Sequence, residues 1–249
     1  MKLWLAQMWD VDERTLQGYK AWFSPEEHRR FERFLHERRR REYIVGRGLA
    51  RRALARELSC APEAIQFDSD EQGRLSVNAT LVGSTVHFNI THTADYVGCA
   101  TCRECEVGID VEKLNERVRA LEIAERFFSQ AESQALQLLD QAAAMETFVT
   151  IWTLKESLAK AHGLGLAAPL ESSQFKVNLD GTIDAVTAYP PFASGAWLAC
   201  CSPTPAHRLA LCVLCPDPAM VAIVPQEVEN SGDVCGLGFS WATGRLKNE

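Results

Sequence analysis

Trp152-Thr153-Leu154-Lys155-Glu156-Ser157-Leu158-Ala159-Lys160 is the stretch around which the rest of the chain makes sense. It lies in a long helical pattern that ends near Gly163 and Gly165, where glycine favours a helix stop. Residues three and four apart share a helix face, so Trp152, Glu156 and Lys160 align, with Lys155 just off that side. Taken alone, the pattern also fits an amphipathic helix with a surface Glu–Lys pair. Its weight comes from segments upstream.

Val107-Gly108-Ile109-Asp110-Val111-Glu112 reads as a strand. Alternate side chains point the same way, so Asp110 and Glu112 share one face while Ile109 and Val111 are expected in the core. Neighbouring carboxylates repel unless a cation sits between them, and a hard oxygen-seeking ion such as Mg²⁺ fits that place. By itself the pair reads equally as a half-exposed edge strand. Before it, Val86 to Thr93 forms a strand with a polar end, paired with Tyr96 to Thr101 through a turn at Thr93-Ala94-Asp95. A lone histidine is more often structural, but His92 stands between Thr91 and Thr93 at a strand end, where hydroxyls and imidazole together make a phosphate seat.

The first part of the chain is set apart by charge. The chain carries a net charge of −7, yet Arg29 to Arg56 holds eleven arginines and three acids. A uniformly basic nucleic-acid binder does not look like this, whereas a local basic face for a polyanionic ligand does. Four consecutive arginines, Arg38 to Arg41, fit a solvated face, while Arg30, Arg47 and Arg51 are the candidates to turn inward toward a shared anion. Residues 3–9 suggest an opening strand. Ser24-Pro25-Glu26-Glu27 combines a cap, a first-turn proline and a capping-box acid, predicting a helix through Phe31, Phe34 and Leu35. Helical periodicity then resumes from Tyr43 to Leu54, and a turn at Ser69 to Arg74 leads into a strand at Leu75–Val77.

Downstream, Ser129-Gln130-Ala131-Glu132 is a second capping box, opening a helix through Leu136 and Leu139. After Gly165 come β-like runs at Phe175–Val177, Trp197–Cys201 and Leu209–Val213, and residues 225–249 read as a loose tail. The layout is α+β in two halves, residues 1–107 and 108–224, without a detectable sequence repeat. No apolar run approaches the roughly 20 residues of a membrane helix. The N-terminus shows no signal-peptide pattern, and the nine cysteines are expected as reduced core thiols of a cytoplasmic protein. The spacing Cys99-x-x-Cys102-x-x-Cys105, with Cys212-x-x-Cys215 far downstream, is also readable as a zinc site, although core thiols are the reading adopted.

Three segments in this order, Phe88-Asn89-Ile90-Thr91-His92, Gly108-Ile109-Asp110-Val111-Glu112 and Trp152-Thr153-Leu154-Lys155-Glu156-Ser157 with Lys160, resemble the 4′-phosphopantetheinyl transferases, in particular the double-length, surfactin-synthetase-activating type. The match spans about residues 20–215 and includes the Ser24-Pro25-Glu26 helix start and the Gly73-Arg74 turn. The resemblance implies a pseudo-dimer of two similar α+β halves with the active site in the cleft between them. It implies transfer of the phosphopantetheine arm of coenzyme A to a serine of an acyl, polyketide or peptidyl carrier protein, releasing adenosine 3′,5′-bisphosphate. Asp110, Glu112 and Glu156 would hold Mg²⁺ (Mn²⁺ also suits oxygen ligands). Glu156 would be the base, Lys160 would neutralise the leaving phosphate, and His92 and Thr91 would bind phosphate oxygens. Lys155, Arg74 and Arg30 would be further coenzyme A contacts, with Arg47 and Arg51 added from charge pattern. Thr91, Arg74 and Glu27 depart from a frequent serine, a frequent lysine and an occasional lysine. A monomer is expected. The rivals are a non-catalytic module binding coenzyme A or a carrier protein, and a Mg²⁺-dependent nuclease, which predicts steeply salt-sensitive nucleic-acid binding.

Overall fold

The computed structural model describes residues 1–71, 73–78, 86–115, 118–165, 168–178, 183–187, 195–215, 224–226 and 242–245. The chain divides into two compact units, Met1–Glu104 with Ile223–Leu237, and Cys105–Ala222 with Gly238–Glu249. The first contains β1 (Lys2–Gln7), α1 (Glu13–Ala21), α2 (Pro25–Glu32), α3 (Glu37–Leu58), β2 (Phe67–Ser69), β3 (Leu75–Val77), β4 (His87–His92) and β5 (Tyr96–Cys102). The second contains β6 (Glu106–Lys113), α4 (Ala120–Phe127), α5 (Gln130–Gln137), α6 (Gln141–His162), β7 (Gln174–Val177), β8 (Ile183–Thr187), β9 (Trp197–Cys201) and β10 (His207–Leu214). Two short strands follow, β11 (Val224–Gln226) and β12 (Ala242–Arg245).

The expected α+β halves are present, and they repeat one topology. In each, the opening strand (β1 or β6) pairs antiparallel with the last (β5 or β10), which pairs with the one before it (β4 or β9). Each places helices after its opening strand, the last of them 22 residues long (α3 or α6), and then a two-stranded hairpin (β2–β3 or β7–β8). The reading of 225–249 as a loose tail is corrected. β11 joins the first sheet beside β1, and β12 joins the second beside β9; residues 227–241 and 246–249 lie outside the described residues. Val-Pro-Gln and Ala-Thr-Gly-Arg have no alternation to read, because edge strands are held by backbone pairing to a sheet already formed.

Local chemistry explains the helices. Ser24 and Ser129 form complete capping boxes with Glu27 and Glu132. α2 stops at Glu32, short of the expected Leu35, and Phe34 and Leu35 fall in the connection to α3. α1, capped by Asp12, and α4 were not anticipated, since both are short and weakly signalled. In the first unit α3 packs Val45, Leu49, Ala53 and Leu54 into a core with Trp4, Ala6 and Val97. In the second, Ile151, Leu154, Leu158 and Ala161 of α6 join Leu198, Ala210 and Cys212.

One glycine controls how closely α6 can approach its sheet. A Cβ on Gly108 would fall 1.9 Å from the Ser157 carbonyl oxygen and 2.5 Å from the Ala161 nitrogen. The glycine before Ile109 therefore lets α6 lie directly on β6. It also sets orientation, because the face of β6 turned to α6 is that of Gly108 and Asp110, while Val107, Ile109 and Val111 are buried on the other side. Among the described residues no helix is long and apolar enough to cross a membrane. The described cysteines are free thiols, and Cys99 and Cys212 belong to the cores of their respective units.

Candidate active site

α6 runs from its Asp140 cap to Gly163, which takes the left-handed conformation at φ 70° that glycine accepts. Trp152, Glu156 and Lys160 are all half-buried, on the side predicted for them. Trp152 is rooted among aromatics, with ring centroids 6.0 Å from Phe148, 6.4 Å from Phe128 and 5.9 Å from Phe127. One turn from Glu156, the Lys160 Nζ donates to Asp110 Oδ1 at 2.6 Å. Helix and strand are thereby joined by a charge-assisted bond at the carboxylate that the sequence singled out.

The neighbouring acids feel one another. Burial, then the charge of Asp110, pushes Glu112 up to about 7, with Glu156 adding to the rise and Lys160 opposing it. Burial and Asp110 likewise raise Glu156, against the pull of Lys160. Among the described residues no three His, Cys, Asp or Glu side chains are gathered closely enough to chelate an ion as they stand. The donor chemistry nevertheless fits a hard divalent cation: carboxylates from two elements sharing one electrostatic neighbourhood, with an ammonium standing in as cation on Asp110.

Lys155 is placed differently from the expectation. Its side chain is fully buried, with Nζ 3.0 Å from Glu132 Oε2 and donating to the Leu170 carbonyl at 2.8 Å and to the Ser173 carbonyl. The ammonium also lies over the rings of Phe128 and Phe175. Glu132 in turn accepts from Ser129 N and from Phe175 N. Lys155 is an internal strut tying α6 to α5 and β7, not a phosphate contact, because one residue along a helix rotates the side chain away from the Glu156 face. Glu132 was legible in sequence only as a capping-box acid. Arg208 was missed altogether; it stands opposite Glu112 in the β6–β10 register, and its guanidinium binds Glu146 of α6.

In the first unit, Arg30, Arg39, Tyr43, Arg47, Ile90 and His92 are among the residues around a cavity of about 300 Å³. Arg47 is only 8% exposed. Its guanidinium lies over the rings of Tyr43 (5.2 Å) and Phe67 (5.3 Å), and its Nε is 3.4 Å from Glu27 Oε1. Among the described residues its buried Nη1 has no hydrogen-bond partner. A guanidinium held this way is prepared for an anion.

The other arginines differ. Arg51 is 1% exposed and forms a two-bond fork with Glu27, at 3.1 and 2.6 Å, so it is a buried structural ion rather than a ligand contact. Burial disfavours the charge on Glu27, but the bonds from Arg51 and Ser24 N and the charge of Arg47 outweigh that and hold its carboxyl below the usual range. Arg74 precedes β3, with its backbone N–H on Asp70, and it is the next residue, Leu75, that reaches the cavity. Thr91 is buried and, by strand alternation, faces away from His92, so the two do not form one phosphate seat. Sequence reasoning missed Arg39 and Tyr43; only their spacing from Arg47 on one helix face could have suggested them.

Fold and site together define a class: a duplicated α+β protein with an acid–lysine cluster suited to phosphoryl chemistry in one half and an arginine-backed cavity in the other. The model of the 4′-phosphopantetheinyl transferase superfamily matches residues 106–212, and that of the 4′-phosphopantetheinyl transferase N-terminal region matches residues 7–104. The chain is 30% identical over 218 residues to the 4′-phosphopantetheinyl transferase Sfp of Bacillus subtilis strain 168, covering 87% of this chain and 94% of that protein. It is also 30% identical to the 4′-phosphopantetheinyl transferase gsp of Aneurinibacillus migulanus, covering 78% and 81% of the two chains. Among solved structures, a holo-(acyl-carrier-protein) synthase from Bacillus anthracis in complex with CoA (3′,5′-ADP) is similar to 44% of this chain and 94% of its own, at 20% identity and a TM-score of 0.38. The chain belongs to the 4′-phosphopantetheinyl transferase superfamily.

Proposed function

We propose that this protein transfers the 4′-phosphopantetheine arm of coenzyme A to a serine hydroxyl of an acyl, polyketide or peptidyl carrier protein. The observation that carries this reading is the α6–β6 junction, where Glu156 and Lys160 lie one turn apart beside Asp110 and Glu112. In the reaction the serine oxygen forms a bond to the phosphorus nearer the pantetheine. The bond from that phosphorus to the bridging pyrophosphate oxygen breaks, and adenosine 3′,5′-bisphosphate leaves.

Glu156 accepts the serine proton. In the ion-free site burial and the Asp110 charge raise its proton affinity, and its carboxylate is the group placed to take that proton. Lys160 offers its ammonium to the charge growing on the leaving phosphate. Asp110, Glu112 and Glu156 would hold a divalent ion, Mg²⁺ or Mn²⁺, by oxygen ligation. Such an ion, when bound, neutralises pyrophosphate charge and polarises the phosphorus. Arg47 donates from Nη1 to a phosphate of the adenosine end, with Arg30 and His92 at the same cavity. Arg74, one residue from that cavity, adds positive charge to its approach. We place the enzyme in the cytoplasm, acting as a monomer.

The test is intact-mass spectrometry of apo carrier proteins incubated with this protein, coenzyme A and Mg²⁺. A gain of one phosphopantetheine arm, abolished by chelation, is expected. No gain across fatty-acid, polyketide and peptide carriers, together with no calorimetric binding of coenzyme A, would overturn the proposal.

A further inference from the structure

The bond between Lys160 and Asp110 creates a competition. A divalent ion drawn to Asp110 meets an ammonium already at 2.6 Å from Oδ1. The charged groups around that position are Asp110 and Glu112 from β6, and Glu156 and Lys160 from α6. From β10, Arg208 stands opposite Glu112 but directs its guanidinium to Glu146 and to the carbonyls of Pro205 and His207. Among the described residues Lys160 is a cation that relieves the repulsion at Asp110, and it opposes the upward push on both glutamates.

We propose that Lys160 is a placeholder for the divalent ion: its ammonium occupies Asp110 until an ion displaces it, and displacement releases it toward the phosphate. This deepens the proposed reaction and rests on Asp110, Glu112 and Glu156 being the metal ligands. The physical reason is charge. A dication on the same carboxylate would stand within a few ångströms of the ammonium, in a half-buried setting where water screens the repulsion poorly. Binding the ion thus breaks one charge-assisted bond, and the same event frees the lysine that the leaving phosphate needs. Metal arrival and phosphate contact become coupled through a single side chain, which disfavours ion binding before coenzyme A is present and favours it afterwards.

The proposal predicts a change of sign. Mn²⁺ binding to this protein is followed by electron paramagnetic resonance, first without coenzyme A and then with it. Without coenzyme A, Lys160→Met binds Mn²⁺ roughly tenfold more tightly than the unsubstituted protein, because the competing charge is gone. Lys160→Arg, which keeps the charge, stays near the unsubstituted value. With coenzyme A present the advantage of Lys160→Met disappears or reverses, since its phosphates have lost their lysine. Lys160→Gln serves as the second neutral variant should Lys160→Met fail to fold, as judged by circular dichroism. If neutral variants bind Mn²⁺ no more tightly without coenzyme A, while Asp110→Asn abolishes binding, the placeholder role is overturned and the metal assignment stands. If neither the unsubstituted protein nor any variant binds Mn²⁺, with or without coenzyme A, the metal assignment fails and the placeholder falls with it.

Discussion

α3 and α6 are both 22 residues long and occupy the same place in a repeated topology, yet they handle charge in opposite ways. α3 matches its buried ions. Arg51 and Arg47 converge on Glu27, whose carboxyl is held below its ordinary range, and the guanidinium of Arg47 is stacked between aromatic rings. α6 sets Glu156 and Lys160, both half-buried, beside Asp110 and Glu112, where one lysine meets three acids and burial and like charge push both glutamates toward protonation. The same helix-on-sheet frame thus supplies an arginine-lined cavity in one unit and an electrostatically strained acid cluster in the other. Strain of that kind is typical of sites that move protons or bind metal.

The contrast breaks most visibly at Glu156. Glu156→Gln keeps shape but removes the proposed metal ligand and base, so transfer is expected to fall roughly a thousandfold. Coenzyme A affinity should change little if Arg47 holds the adenosine end as proposed; calorimetry beside the mass assay separates the two effects. A variant with full activity would end the assignment of Glu156.

The next largest effect tests whether α6 also contains a matched pair. Lys155→Met leaves Glu132 buried without its cation and should destabilise the protein by about 3 kcal/mol in urea unfolding. Adding Glu132→Gln should recover part of that loss. A Lys155→Met protein of normal stability that binds coenzyme A weakly would restore the phosphate-contact role and contradict the strut.

Arg47→Ala probes the first unit. Losing one charge-assisted contact corresponds to about 2 kcal/mol, so KM for coenzyme A should rise about thirtyfold while kcat changes far less. Equal losses in kcat and kcat/KM would instead put Arg47 at the reacting phosphorus.

The smallest effect is one of pH. Glu112 is raised from 4.5 to about 7, so between those values the folded protein retains a proton that the unfolded chain has released. Its contribution to stability is full below the lower value and is lost as pH rises through the upper one. A divalent ion must displace that proton, so Mg²⁺ should raise Tm by more at about pH 8 than at about pH 6. An equal shift at both would mean that Glu112 is not a ligand.

Much of this was legible in the residues themselves. The two capping boxes, the α6 face bearing Trp152, Glu156 and Lys160, and the shared side of Asp110 and Glu112 all follow from local periodicity, which needs no knowledge of what packs where. The spaced motifs were enough to point to the superfamily. Tertiary structure alone decided which charges are free to act. Lys155 and Glu156 are neighbours in sequence, and only the position of α5 and β7 makes one a strut and leaves the other in the acid cluster. Arg47 and Arg51 lie four apart on one helix, but Glu27 takes both terminal nitrogens of Arg51 and leaves only its buried Nε without a partner among the described residues, whereas Arg47 keeps a terminal Nη1 without one and lines the cavity. The edge strands β11 and β12 carried no pattern because their partners are backbone groups far away in the chain. Sequence specifies which side chains share a face. Burial and pairing, which depend on segments distant along the chain, determine which of them remain available for chemistry.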